Sequence, residues 1–378
     1  MSLFYLAPFL LCMYAGASAL RTLKMPLWGE AAAAVFLLGA AYKNVIFQKI
    51  GGGMYFAPDL PPGVLMGGAL AFNFLAAALW ALMLKDVLHG LWRLGLGRPF
   101  PSRAAALWAL SVAAVLALWG TWRAENLPRV VKYEVAVAGL PPEFDGKTAV
   151  LLSDLHCSPT NARPFIQAVT DRANAQNPDL VLITGDFVDG RADRLKDHLE
   201  PLSQLKAPLG VYGCTGNHEY FSDYGRWRPV LKSLGITVLE NEGAILASGS
   251  GPLVIAGIND PAGAGFGFEK PDLEKALRGA PAGAPVILLS HRPGSAAENA
   301  RGGAALQLSG HTHGGQMPLL RRLVAKMNGG FVRGWYDVKG MKLVVSPGTS
   351  QWNGFPMRLL CPSEISVLTL RTAAEPRR

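Results

Sequence analysis

Cysteine, acidic charge and repetition are all scarce in this chain. Its 378 residues include four scattered cysteines, Cys12, Cys157, Cys214 and Cys361, with no C-x-x-C spacing. A disulfide framework is therefore not expected, and the redox compartment cannot be read from the thiols. Charged residues make up only 17% of the chain while half of it is hydrophobic, a balance unusual for a wholly soluble protein. No internal repeat or low-complexity tract is present. Acids are rarest at the start: residues 1–130 hold four Asp/Glu against ten Lys/Arg, and the remainder holds twenty-three against twenty-six. The cationic excess thus sits in the apolar N-terminal third, as for loops beside a membrane. With a balance of only +3 and no long basic run later on, the pI of 9.4 gives no reason to expect a nucleic-acid partner.

What the first third does contain is long apolar runs. About 20 such residues cross a bilayer, and four spans are expected, at 3–20, 27–47, 64–84 and 104–122, forming a transmembrane region over 1–125. The first lacks the basic flank of a signal peptide and reads as a retained helix. The second is weaker, because Glu30 and Lys43 bracket its core. Lys85, Arg93, Arg98 and Arg103, set against Asp86, are read as a cytoplasmic loop between the last two spans. The positive-inside rule then places the C-terminal part on the extracytoplasmic side of a bacterial-type inner membrane. Membrane lipids are its expected surroundings.

From residue 131 the pattern changes. Strand-length apolar runs at 131–138, 148–152, 180–184, 210–214, 236–239, 253–256, 286–289, 305–308, 343–346 and 365–370 alternate with helical stretches. The helical stretches fall at 162–176, 192–205, 224–234 and 273–278. This alternation predicts a layered α/β domain over 131–372, with about 245 residues for its core.

In open α/β sheets, ligand sites lie beyond the carboxyl ends of strands. There the polar residues recur: Asp154 and His156 after the run at 148–152, Asp186 and Asp189 after 180–184, Asn217, His218 and Glu219 after 210–214, His291 after 286–289, and Gly310-His311-Thr312-His313-Gly314-Gly315-Gln316 after 305–308. Each piece alone reads as well as a turn, a helix cap or a core histidine. Five strand ends each followed at once by ligand-type side chains read as one site.

This series resembles the calcineurin-like metallophosphoesterase superfamily over residues from about 147 to 370, and Gly314-Gly315-Gln316 resembles its membrane-anchored branch. The resemblance implies a four-layer α/β/β/α sandwich, here preceded by an α-helical transmembrane bundle, and two divalent metal ions. It implies that Asp154, His156, Asp186 and His313 hold one ion, that Asp186, Asn217, His291 and His311 hold the other, and that His218 acts as acid or transition-state stabiliser. Glu219 stands where many members have Asp, a change expected to matter little.

The residue chemistry points the same way. A carboxylate such as Asp186 can bridge two cations, which lower the pKa of a bridging water, supply hydroxide and neutralise phosphoryl charge. Ligands that are all N and O suit Mn, Fe or Zn, although Cys157 adjoins His156. Asp189 would orient a ligand, and His218 would serve the leaving oxygen. The expected activity is metal-dependent hydrolysis of a phosphodiester, phosphomonoester or pyrophosphate, with a lipid-linked substrate one option. The alternative is a transport or sensor protein with a regulatory phosphoesterase-like domain.

Three segments could shape a substrate. Residues 263–268 are glycine-rich with two phenylalanines and read as a surface loop. Residues 317–332 mix leucines with Arg321, Arg322 and Lys326, and read as a loop packed over the sheet or a contact for an anionic surface. Residues 348–358 offer Trp352, Phe355 and Arg358 as a wall.

Overall fold

A computed structural model describes residues 3–55, 57–96 and 100–373. The chain divides into two compact units, 1–124 with 353–359, and 125–352 with 360–378.

The first unit is helical: α1 (Leu3–Leu23), α2 (Leu27–Ala41), α3 (Lys43–Gly51), the short strands β1 (Gly53–Met54) and β2 (Ala57–Pro58), α4 (Pro62–Leu96) and α5 (Ser102–Glu125). Two of the described helices are long and apolar enough to cross a membrane, α4 over Pro62–Gly95 and α5; α2 and α3, bent by 73°, could make a third span together. The helices meet on small side chains, Ala15, Ala19, Ala40 and Ala109, around Leu75 and Leu82, as close helix packing in lipid requires.

Here the structure corrects the sequence reading. Lys85 and Asp86, expected in a loop, lie inside α4 and pair at 2.9 Å. Asp86 also accepts from Tyr14 and Ser18, each at 2.7 Å, and Lys85 donates to the Ser18 carbonyl. α4 runs on through Gly90 to Leu96, and the bundle supplies partners for both charges. Arg98 lies outside the described residues. The segment 353–359, expected in the α/β domain, clusters with the helices. The Asn73 amide donates to the Pro356 carbonyl at 2.8 Å, and Phe355 sits edge-on to Phe72.

The second unit holds β3 (Arg129–Val137), β4 (Thr148–Leu152), α6 (Arg163–Asn174), β5 (Leu180–Ile183), α7 (Ala192–Leu199), β6 (Val211–Gly213), α8 (Asn217–Phe221), α9 (Tyr224–Ser233), β7 (Thr237–Val238), β8 (Glu242–Leu246), β9 (Leu253–Gly257), α10 (Leu273–Ala276), β10 (Val286–Leu289), α11 (Ala296–Arg301), β11 (Leu306–Ser309), α12 (Pro318–Met327), β12 (Gly334–Val338), β13 (Met341–Val345) and β14 (Glu364–Thr372). The helix expected at 192–205 ends early. Pro201, which has no N–H to donate, falls in the 3-10 turn Glu200–Gln204 that follows α7.

The strands form two mixed sheets, β3-β14-β4-β5-β6-β7 and β12-β13-β11-β10-β9-β8. β4, β5, β6 and β7 run parallel, as do β9, β10, β11 and β13. Their apolar runs are buried on both faces, so they show little period-two alternation. One core cluster draws Leu151, Leu182 and Leu368 from the first sheet and Ile255, Leu289 and Leu308 from the second. Others join the first sheet to α6, α7 and α9, and the second to α10 and α11. Parallel order brings the carboxyl ends of β4, β5 and β6 to one edge, and likewise those of β10 and β11.

Candidate metal centre

The side chains expected at those ends converge, and they do so across the two sheets. Asp154 and His156 follow β4, and His313 follows β11; their ligand atoms lie within 4.8 Å of one another. Asp186 after β5 meets His291 after β10 and His311 after β11 in a second such group. His156 and His313 face each other through their Nε2 atoms at 3.1 Å, and His313 Nε2 is 3.5 Å from Asp154 Oδ1. In the second group His291 Nε2 is 3.2 Å from Asp186 Oδ2 and 3.2 Å from His311 Nδ1.

Asp186 links the groups: the same Oδ2 lies 3.7 Å from His156 Nε2. Its other oxygen, Oδ1, accepts from the His218 amide at 2.9 Å. Burial would keep this carboxyl protonated, but the charges of His291, His218 and His156 outweigh it and hold Asp186 well below the ordinary carboxylate range. Burial opposes charge on His291 too, and Asp186 overrides it, raising that imidazole to about 10. Burial and the neighbouring His291 push His311 the other way, well below its ordinary value. A buried cluster so divided suits a group that the protein's own charges do not neutralise.

Three further observations test whether the residues fit cations. Two ring nitrogens 3.1 Å apart need a proton or a cation between them. His291 Nδ1 donates to the Thr184 carbonyl at 2.7 Å, and His156 Nδ1 is held by Asp189 at 2.9 Å, so both rings turn Nε2 inward as ligating histidines do. Asn217 Oδ1 is buried without a hydrogen-bond partner, an acceptor whose desolvation is uncompensated. None of the three ligand groups found among the described residues includes a cysteine. The buried Cys157 thiol is pushed well above its usual range by burial and by Asp189.

The third group, His156, Asp189 and His218, is of a different kind. Asp189 Oδ1 takes both Nδ1 atoms, at 2.9 Å from His156 and 2.6 Å from His218. These contacts are of ordinary hydrogen-bond length, shorter than the 3.1–3.7 Å separations quoted for the other two groups. One carboxylate oxygen accepting from two rings makes Asp189 an orienting carboxylate. Burial disfavours the charged His218, but Asp189 and Asp186 prevail and raise it to about 9.

Backbone strain marks the same residues. Asp154, His156, Asp186, His311 and His313 all have positive φ, between 43° and 68°. Such conformations cost about 1–3 kcal/mol each in non-glycine residues and gather at functional sites. Two glycines make room for them. A Cβ on Gly216 would run into the Asp186 carboxylate and amide, and one on Gly310 into Ser153 and Asp154.

The comparisons with known proteins agree with this geometry. Residues 147–315 match the model of the calcineurin-like phosphoesterase family. A Bos taurus protein called a transmembrane protein with metallophosphoesterase domain is 38% identical over 80% of this chain and 74% of its own length. The chain belongs to the calcineurin-like phosphoesterase family. A Danio rerio protein of the same description is 40% identical over 70% of this chain, and the match spans 62% of that protein. An uncharacterized metallophosphoesterase of Aquifex aeolicus is 31% identical over 64% of this chain and 92% of its own.

Against this family background, Glu219 does more than its sequence position suggests. Its carboxylate accepts from the amides of Asp186 at 2.9 Å, Phe187 at 2.7 Å and Gly216 at 2.6 Å. It thereby ties the loop after β5 to the loop after β6. Burial, then the Asp186 charge, raise it to about 7. The carboxylate at this position is thus part of the scaffold that holds Asp186. The candidate wall is also divided. Trp352 stands edge-on to His218, with centroids 6.1 Å apart, whereas Phe355 and Arg358 belong to the helical unit. The segment expected as a glycine-rich loop folds as a 3-10 turn, and Phe266 packs on Phe221, which itself faces His218. Sequence reading missed the Arg292–Asp260 pair beside His291, bidentate at 2.7 and 3.0 Å. Its residues lie 32 positions apart, and no local pattern marks them.

Proposed function

We propose that this chain is a membrane-anchored, metal-dependent phosphoester hydrolase. The observation that carries the reading is Asp186 Oδ2, 3.2 Å from His291 and 3.7 Å from His156, between two groups of ligand atoms. In this reading Asp154, His156, Asp186 and His313 hold one divalent cation, and Asp186, Asn217, His291 and His311 hold the other. The bound pair supplies a nucleophilic hydroxide near neutral pH and offsets charge on the attacking and leaving oxygens. The chain's own work is to fix that arrangement and to manage protons. Asp189 holds His156 and His218 in one orientation by accepting a hydrogen bond from each Nδ1–H. His218, raised in pKa, donates to the leaving oxygen, and Trp352 and Phe221 bound the space beside it.

A membrane-borne phosphodiester, phosphomonoester or pyrophosphate on the extracytoplasmic side is the substrate class this reading favours. Membrane attachment is supported by the apolar helices α4 and α5 and by the transmembrane relatives, and the side rests on the charge bias of the N-terminal third alone. The test is hydrolysis of bis-p-nitrophenyl phosphate by the full chain in detergent. Turnover should vanish after chelation and return with Mn²⁺, Fe²⁺ or Zn²⁺. Turnover that survives complete metal removal would sink the proposal.

A further inference from the structure

Helix α12 follows the His311–His313 turn after only a few residues and differs from every other helix of the α/β unit. None of its ten residues is buried. Leu319, Leu323 and Met327 are 54%, 56% and 76% exposed, and their i, i+4, i+8 spacing sets them in one stripe. Arg322 and Lys326, one position before Leu323 and Met327, form a parallel row about 100° round the helix from those two residues. The inward side is made by Leu320, Val324 and Ala325, which are half-buried. The helix also carries Arg321 and no acid. The sequence reading of a loop packed over the sheet fails, because the larger apolar side chains point outward.

An exposed apolar stripe beside a basic row fits the surface of an anionic bilayer. The leucines enter the acyl boundary while the Lys and Arg stems reach back to lipid phosphates. A second copy is disfavoured by charge, since two such helices would each bring three cations. A short linker also tethers the α/β unit to the membrane-length helices. Only Asn126, Leu127 and Pro128 separate α5, long enough to cross a membrane, from β3, and a residue spans at most about 3.6 Å.

We propose that α12 is a membrane-docking helix whose Leu319–Leu323–Met327 stripe inserts into the surface of an anionic bilayer, with Arg322 and Lys326 on its phosphates. Docking would hold the His311–His313 turn at headgroup level. That consequence rests on the hydrolase reading; the docking itself does not.

The test uses the full chain in lipid nanodiscs. The four native cysteines are buried, so Met327→Cys can be labelled alone with an environment-sensitive fluorophore. In discs containing phosphatidylglycerol the emission should shift to the blue and be quenched by brominated acyl chains. Both signals should fall in pure phosphatidylcholine and at high salt, and both should be lost in a Leu319→Glu/Leu323→Glu background. Hydrolysis of soluble bis-p-nitrophenyl phosphate, followed in the same discs, should be unchanged and reports separately on the hydrolase reading. Water-like emission in both lipids, equal quenching in both, or cross-linking of the label to a second copy overturns the proposal.

Discussion

Asp186 presents its two oxygens to different tasks: Oδ1 accepts the His218 amide, and Oδ2 faces His156 and His291. Asp186→Asn can keep the amide contact at Oδ1 but puts an uncharged NH₂ donor in place of Oδ2. It should therefore cost metal content and turnover together, as read by elemental analysis and diesterase assay. His218→Ala should separate the two. Metal content should stay, while turnover falls by about 10²–10⁴, the usual contribution of a positioned acid; loss of both metals would make His218 a ligand. Glu219→Ala exposes the scaffold beneath them. It leaves three buried amides unpartnered, at about 1–3 kcal/mol each before water compensates. Chemical denaturation should show a loss of about 3 kcal/mol or more, with weaker metal retention. A loss near zero would show that Glu219 does not hold these loops.

Among the elements, the parallel strands do most to build the site, because each delivers a ligand-bearing loop to the same edge. Those loops were legible: β4, β5, β6, β10 and β11 are short apolar runs that stop at a polar residue. Less legible were α12, β8 and β12. β8 begins Glu-Gly, β12 is a short edge strand of mixed residues with only Val338 buried, and α12 points Leu319 and Leu323 outward, so none carries a buried apolar run. Loop geometry was only partly readable. Gly216 has φ −103° and ψ −171°, a conformation alanine tolerates. Gly216→Ala should nevertheless fail, because its Cβ meets Asp186. Metal binding should drop sharply while helix content by circular dichroism stays near wild type, which separates collision at the site from unfolding. In the helical unit, the Lys85–Asp86 pair inside α4 shows why counting charges between apolar runs misplaced a boundary: a helix of 35 residues runs about 52 Å, well beyond a ~30 Å hydrocarbon core.

For the whole molecule, the side of the membrane that the site faces decides which substrates can reach it. The extracytoplasmic reading leaned on Lys85, Arg93, Arg98 and Arg103 as one loop, and with Lys85 buried in the bundle that cluster is smaller. We still expect an alkaline phosphatase reporter fused after residue 122 to be active and a green fluorescent reporter there to be dark; the reverse pattern would place the site in the cytoplasm. That result would exclude more substrates than any other single measurement.

The sequence by itself determined the family, the apolar N-terminal helices and the residues that could hold metal, because a ligand side chain directly after a buried parallel strand is a local pattern. The family resemblance already implied how they pair, and the tertiary structure brings those pairs together. His313 joins Asp154 and His156, while His311 joins Asp186 and His291, because the rims of two separate sheets must meet before either group exists. The tertiary structure also decided that Asp189 holds two imidazoles at once, that Glu219 ties two loops, that residues 353–359 cluster with the helices, and that Leu319 and Leu323 of α12 face outward. Each of these depends on contacts across the chain, and no spacing along it could reveal them.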